Sequence, residues 1–280
     1  MKTEITAHGK VNLALDVLYK RKDGYHEIKT IMQQIGLSDR LMVRENSGGV
    51  SISCDNLLVP LDGTNLAYRA WEEITKLTES QIGIDIRIEK NIPVAAGLAG
   101  GSTNGAAVIK ALNQMWDLGL SQKEMMDIGL RIGADLPFCL MGGTALAEGI
   151  GESLTPLKTL EGVPMLIANP GIQISTPYAY SRLKLTDKRI DMDKITECIE
   201  KGELGCIAGS LSNVMEAAII PENPVIGQIK DYMVSHGALG ALMSGSGASV
   251  FGIFEDPEKL HFAYKRMKDQ VPFVFETSTI

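Results

Sequence analysis

No apolar run in the sequence approaches the ~18 residues that a bilayer-spanning helix needs, and Met1 to Thr6 lack the hydrophobic core of a secretory signal. A cytoplasmic location is the expectation. Cysteine and histidine are scarce: Cys54, Cys139, Cys198 and Cys206 show no C-x-x-C spacing, and His8, His26, His236 and His261 are scattered singly. Neither a zinc site nor a disulfide framework is expected, no residue stands out as a metal ligand, and the cysteines read as reduced small hydrophobes. The formal net charge of −7 comes without a block of lysine or arginine, which disfavours nucleic acid and anionic membrane surfaces as partners. An anionic ligand must then be held by local geometry. Two phosphate-binding patterns are also missing. The chain has no G-x-x-x-x-G-K-[ST], which argues against a P-loop NTPase, and no G-x-G-x-x-G, which argues against a dinucleotide-binding dehydrogenase.

What is present is a different glycine-rich segment, Asn91 to Ala107, joining a strand to a helix through small residues. Before it, Ile82, Ile84, Ile86 and Ile88 alternate with Gly83, Asp85, Arg87 and Glu89, the period of a half-buried strand. After it, Ala107, Val108, Ala111, Leu112 and Met115 recur at helical spacing. Between them Gly97, Gly100 and Gly101 permit close backbone approach, while Ser102, Thr103 and Asn104 offer cap-forming oxygens. A helix N-terminus carries unpaired N–H groups and partial positive charge, so the segment reads as a phosphate cradle. A ligand-free connection is the plainer alternative.

With 280 residues and 45% hydrophobic content, the chain can bury a substantial core in one large or two moderate domains. Residues near 2–7 and 11–18 read as strands flanking Gly9 and Lys10, followed by a turn over Lys22 to Tyr25. Leu66, Ala67, Ala70, Trp71, Ile74 and Leu77 predict a helix over Asn65 to Leu77. Ser121 and Glu124 form a capping box for another, which stops near Gly133. A polar stretch at 157–164 suggests a boundary, dividing the chain into 1–157 and 158–280. Beyond it, Met165 to Ala168 and Ser249 to Phe254 read as strands, and Asn223-Pro224 and Asp256-Pro257 announce two helices. Mixed elements throughout place the fold in the α+β or α/β class.

Three sets of residues carry candidate chemistry. Asp135 sits among Ile132, Leu136, Pro137 and Phe138, an apolar setting where an unpaired carboxylate is costly. Pro137 bends the chain there, so Asp135 either projects into a cleft or makes local turn hydrogen bonds. Lys10 shares a strand face with Asn12 and Ala14 by alternation; a solvated surface lysine is the ordinary reading, and pairing with Asp135 would relieve both burial problems. Gly240 to Ser249 is a second small-residue run, whose Gly245-Ser246-Gly247 is either a tight turn or a place where backbone approaches a phosphate or the first glycine-rich loop. Aromatics are only 5% of the chain, so Tyr25, Tyr178 and Tyr180 near predicted turns are candidates to stack on a ring-shaped ligand, or are core-edge residues.

Taken together, Gly9 to Leu13, Asp23 to His26, Gly97 to Ser102, Gly133 to Pro137 and Met243 to Gly247 resemble, in order and spacing, the signature segments of the GHMP kinase superfamily. Two positions depart from the usual pattern: His8-Gly9 stands where Pro-Ala is common, and Thr103-Asn104-Gly105 where Ser-Asp-Ala or Ser-Asn-Ala is. The resemblance implies an α+β fold with a ribosomal-protein-S5-like N-terminal domain and a ferredoxin-like C-terminal domain. It also implies an ATP- and Mg²⁺-dependent kinase acting on the 2-hydroxyl of 4-diphosphocytidyl-2-C-methyl-D-erythritol, in the non-mevalonate route to isoprenoid precursors. Carried over by motif, Asp135 is the base and Lys10 its charge-stabilising partner. By the same resemblance Pro93, Val94, Ala95, Ala96, Gly97, Leu98, Ala99, Gly100, Gly101, Ser102 and Thr103 would hold the ATP phosphates, and Asn12, Tyr25, His26 and Tyr180 would hold the other substrate. Phosphoryl transfer asks mainly for positioning and charge stabilisation, and this set supplies both.

Overall fold

The computed structural model describes residues 1–78 and 82–280. It divides into two compact units that interleave along the chain, one built from Met1–Gly9, Leu37–Val94 and Ala99–Gly142, the other from Lys10–Gly36, Ala95–Leu98 and Gly143–Ile280.

The first unit takes the start of β1 (Lys2–Lys20), the end of β2 (His26–Asn46), β3 (Val50–Cys54), α1 (Leu66–Thr78), β4 (Gly83–Glu89), α2 (Gly100–Met115), α3 (Gln122–Ile132) and α4 (Leu136–Met141). The isoleucine alternation sets β4: Ile84, Ile86 and Ile88 are buried, and the strand pairs antiparallel with β2 from Arg40↔Glu89 to Asn46↔Gly83. β3 lies parallel to it, with Val50 opposite Ile84 and Cys54 opposite Ile88. Ala67, Ala70 and Ile74 of α1 and Ala107, Val108, Ala111 and Leu112 of α2 close one core with these strands; small alanines let the two helices approach closely. Leu77, expected on that buried face, is 54% exposed. The capping box is present at α3: the Ser121 side chain accepts from the Glu124 N–H, and the Glu124 carboxylate accepts from the Ser121 N–H.

The second unit pairs Ile28 to Gln33 of β2 with β5 (Thr144–Gly149), which continues antiparallel to β6 (Ser153–Pro156). Then come β7 (Pro164–Asn169), α5 (Thr176–Arg182), α6 (Met192–Lys201), α7 (Leu204–Gly209), β8 (Ser212–Asn213), α8 (Glu216–Ile219), α9 (Pro224–Ser235), β9 (Gly240–Met243), β10 (Val250–Ile253), α10 (Pro257–Met267) and β11 (Phe273–Ser278). Four of these strands form an antiparallel sheet in the order β11-β7-β10-β9. Ile226, Ile229 and Met233 of α9 and Leu260, Ala263 and Met267 of α10 share a core with Leu166, Ala168 and Val250 of that sheet. Both helices begin at the expected prolines, and the Asp256 side chain accepts from the Glu258 N–H.

Two expectations are corrected. The two strands predicted around Gly9 and Lys10 are one, β1, which runs from Lys2 to Lys20, with the Lys10 N–H donating to the Leu98 carbonyl at 3.1 Å. Cys198 and Cys206, expected as free thiols, are joined in a disulfide. The short link between α6 and α7, with Gly202 in the left-handed region, turns the chain so that their Cα atoms are 5.7 Å apart, within bridging distance. Among the described residues no helix is long and apolar enough to cross a membrane.

Candidate functional site

In the second unit the site is built around Lys10, which is buried in β1. A strand with both faces covered would ordinarily carry apolar residues here, so a buried lysine needs acceptors. It has two: its ammonium donates to Asn12 Oδ1 at 2.7 Å and to the Gly97 carbonyl at 3.4 Å. Its burial overturns the solvated-lysine reading, and with no ion pair among the described residues its charge meets neutral oxygens there.

The same Gly97 carbonyl accepts the Ser244 hydroxyl at 2.9 Å, and the Ser249 N–H donates to the Ala96 carbonyl at 3.3 Å. Both readings left open for Gly240 to Ser249 are present: the Gly247 N–H closes a tight turn onto the Ser244 carbonyl at 3.0 Å, and the run approaches the first glycine-rich loop. Gly97 is required there. Its φ is +75°, and a Cβ would lie 2.1 Å from the Ser244 carbonyl oxygen. Asn213, which no motif marked, holds the other side of this run: its Nδ2 donates to the Met243 and Gly245 carbonyls, both at 2.8 Å. A lone asparagine in β8, a strand of only two residues, gives no periodic signal, so sequence reasoning passed over it.

The predicted aromatic residues divide. His26 stacks on Tyr180, with ring centroids 4.7 Å apart and planes 27° from parallel. Burial, with a smaller contribution from Lys20, holds the His26 imidazole below its ordinary pKa, which favours the neutral ring. Tyr25 is 60% exposed in the turn after Asp23, where its N–H donates to the Asp23 carboxylate. Tyr178 is exposed too and donates its hydroxyl to Glu222.

In the first unit, α2 starts at Gly100, earlier than the cap-forming residues predicted. Ala99, in the left-handed region, precedes it without a side-chain cap. Ser102, Thr103 and Asn104 therefore lie inside the first turn and do not cap it. The Thr103 hydroxyl donates to the Gly100 carbonyl, and the Thr103 N–H makes the first helical bond, to Ala99. The N–H groups of Gly100, Gly101 and Ser102 precede that bond and have no intrahelical acceptor, as an anion site requires. Pro93 and Thr103 are buried, whereas Gly101 is exposed, so the cradle offers backbone more than side chains.

Asp39 anchors both ends of this segment. One oxygen accepts from the Asn91 and Ile92 N–H groups, each at 2.8 Å; the other accepts from Lys90 Nζ at 2.5 Å and Asn104 Nδ2 at 2.8 Å. The Asp39 and Lys90 side chains are both buried, and a Cβ on Gly100 would come within 2.7 Å of the Lys90 ammonium. No motif marks Asp39, because its partners lie 51 to 65 positions away along the chain. Asp135 precedes α4 at its N-cap position, is half-buried, and has no side-chain hydrogen bond or ion pair among the described residues. The local turn hydrogen bonds weighed for it are absent.

The family "GHMP kinases N terminal domain" matches residues 65–143, and "GHMP kinases C terminal" matches residues 195–272. A 4-diphosphocytidyl-2-C-methyl-D-erythritol kinase of Acetivibrio thermocellus is 44% identical over 278 residues, covering 99% of this chain and 98% of its own. A crystal structure of a 4-(cytidine 5'-diphospho)-2C-methyl-D-erythritol kinase superposes with a TM-score of 0.85 at 32% identity, covering 99% of each chain. The homoserine kinase of Cytophaga hutchinsonii, at 18% identity and a TM-score of 0.79 over 100% of this chain and 94% of its own, shares the fold. The chain is thus an α+β kinase that belongs to the GHMP family and, within it, to the 4-diphosphocytidyl-2-C-methyl-D-erythritol kinases.

Proposed function

We propose that this kinase transfers the γ-phosphoryl group of ATP to the 2-hydroxyl of 4-diphosphocytidyl-2-C-methyl-D-erythritol, in the cytoplasm. The observation that carries the reading is the buried Lys10 ammonium, held by Asn12 and by a carbonyl of the glycine-rich loop and matched by no carboxylate among the described residues. An uncompensated buried cation is costly unless it meets charge during the reaction, and transferred phosphoryl oxygens supply that charge.

In this reading Asp135 takes the proton of the 2-hydroxyl as its oxygen attacks phosphorus, and Lys10 stabilises the charge that develops. Its half-buried carboxylate, free of hydrogen bonds among the described residues, suits a base. Residues 93–103 hold the phosphates through backbone N–H groups, and Asn12, Tyr25, His26 and Tyr180 hold the cytidine-bearing substrate, the His26–Tyr180 stack being the better-formed aromatic surface. Mg²⁺ neutralises phosphate charge in such reactions. Among the described residues no three His, Cys, Asp or Glu side chains gather to hold an ion. The division at 157/158 into an ATP-binding half and a C-terminal half belongs to the same proposal; the two family matches, 65–143 and 195–272, fall on either side of it.

The test is coupled ADP release by Asp135→Asn and Lys10→Met. Both variants are expected to lose at least about a hundredfold in kcat while still binding ATP, since a positioned base contributes ~10²–10⁴-fold. A folded Asp135→Asn enzyme with more than half of wild-type turnover would remove Asp135 from the mechanism.

A further inference from the structure

Thr30, fully buried in β2, belongs to no motif, yet it stands behind the acceptor that holds Lys10. Its hydroxyl proton goes to the Ala14 carbonyl at 2.6 Å, so only oxygen lone pairs remain to face Asn12. Asn12 meets them with its amide nitrogen, Nδ2 to Thr30 Oγ1 being 2.8 Å. The amide oxygen is thereby turned to the Lys10 ammonium at 2.7 Å. Both ends of the amide are determined, because an ammonium only donates and this hydroxyl has no proton left to give. A flipped amide would set NH₂ against NH₃⁺.

We propose that Thr30 is a positioning residue for phosphoryl transfer: acting through Asn12, it fixes the place of the Lys10 ammonium. The inference rests on the role given to Lys10 above. A lysine has a flexible four-carbon stem, so its charge is placed only as well as its acceptors are. Without the Thr30 oxygen the Asn12 amide nitrogen loses its acceptor, so the amide oxygen is no longer held in place from behind, and when it moves off Lys10 keeps only the longer bond to Gly97.

The experiment compares Thr30→Val, which keeps the shape and removes the hydroxyl, with Thr30→Ser, which keeps the hydroxyl. Steady-state kinetics are run well below each variant's Tm, with Lys10→Met alongside. Thr30→Val is expected to lower kcat about tenfold, the worth of one hydrogen bond to a charged group, with the KM for ATP within about twofold of wild type. Thr30→Ser is expected to restore kcat to within about twofold of wild type, although it packs less well, which separates positioning from plain stability. Wild-type kcat in Thr30→Val, or an equal loss in Thr30→Ser, overturns the inference. If Thr30→Val does not fold, Thr30→Cys, with a thiol that accepts poorly, takes its place with the same two outcomes. Activity retained by Lys10→Met refutes the role of Lys10 itself; an inactive Lys10→Met beside a fully active Thr30→Val refutes only the inference about Thr30.

Discussion

Replacing Asp39 by asparagine tests how the phosphate segment is held. The carboxylate accepts four hydrogen bonds, from Lys90 Nζ, Asn104 Nδ2 and the N–H groups of Asn91 and Ile92, and its partner ammonium is buried with it. Asparagine has the same shape but one acceptor oxygen, so it serves the two backbone groups or the two side chains, and its NH₂ faces donors on the other side. Lys90 is left as an uncompensated buried charge. Removing one partner of such a pair costs about 3–5 kcal/mol, a large share of the ~5–15 kcal/mol by which domains are stable. Urea unfolding of Asp39→Asn should show that loss as a lower midpoint at unchanged m-value. Adding Lys90→Met should recover much of it, because the stranded charge is then gone. The KM for ATP should rise in Asp39→Asn, since Asn91 and Ile92 lead into the loop and Asn104 lies in the first turn of α2. A loss below about 1 kcal/mol, or no recovery on adding Lys90→Met, would refute the reasoning.

Gly97→Ala places a Cβ 2.1 Å from the Ser244 carbonyl at a φ of +75°, so strain and overpacking together should destabilise by roughly 2–4 kcal/mol; equal midpoints for the variant and wild type in guanidinium would contradict this. His26 is held below its ordinary pKa of 6.5, so the unfolded chain binds a proton more readily than the folded one. Stability from this residue is therefore full above pH 6.5 and is lost as pH falls through the depressed folded value; the decline in Tm below pH 6.5 should be shallower in His26→Phe, and an identical decline argues against the assignment. Tyr180→Ala removes the ring stacked on His26 and should raise the KM for the cytidine substrate roughly ten- to a hundredfold, more than Tyr25→Ala does, by the ~1–3 kcal/mol of a base–aromatic stack. Equal effects of the two variants would place the cytosine elsewhere.

The parts of this molecule that were legible in its sequence are those with local signals. β4 was readable because period-two alternation is enforced by a half-buried sheet, and α3 because its capping box satisfies orphan N–H groups within four residues. Lys10, Gly97 and Asp135 stood out through glycine-rich or charge-in-apolar contexts. The burial of Lys10 was not legible, because alternation says which residues share a face but not how deeply that face is covered. Asp39, Thr30 and Asn213 were missed for another reason: each acts on partners 16 to 65 positions away in sequence, as with Thr30 and Ala14 or Asp39 and Asn104, and a single polar residue in a strand has no periodicity to reveal it. The start of α2 at Gly100 was misplaced because glycine is a poor helix former. Its presence there follows from the close approach of the Lys90 side chain, a tertiary constraint.

The central claim is most directly tested by identifying the product. Purified enzyme is given ATP, Mg²⁺ and 4-diphosphocytidyl-2-C-methyl-D-erythritol, and the mixture is followed by phosphorus NMR beside parallel reactions with homoserine and mevalonate. The account predicts a new phosphomonoester resonance, coupled to the carbon skeleton at the 2-hydroxyl, that appears with the cytidine substrate and is lost in Asp135→Asn. ATP consumed with homoserine or mevalonate but not with the cytidine substrate, or a phosphoryl group found at another hydroxyl, would contradict it.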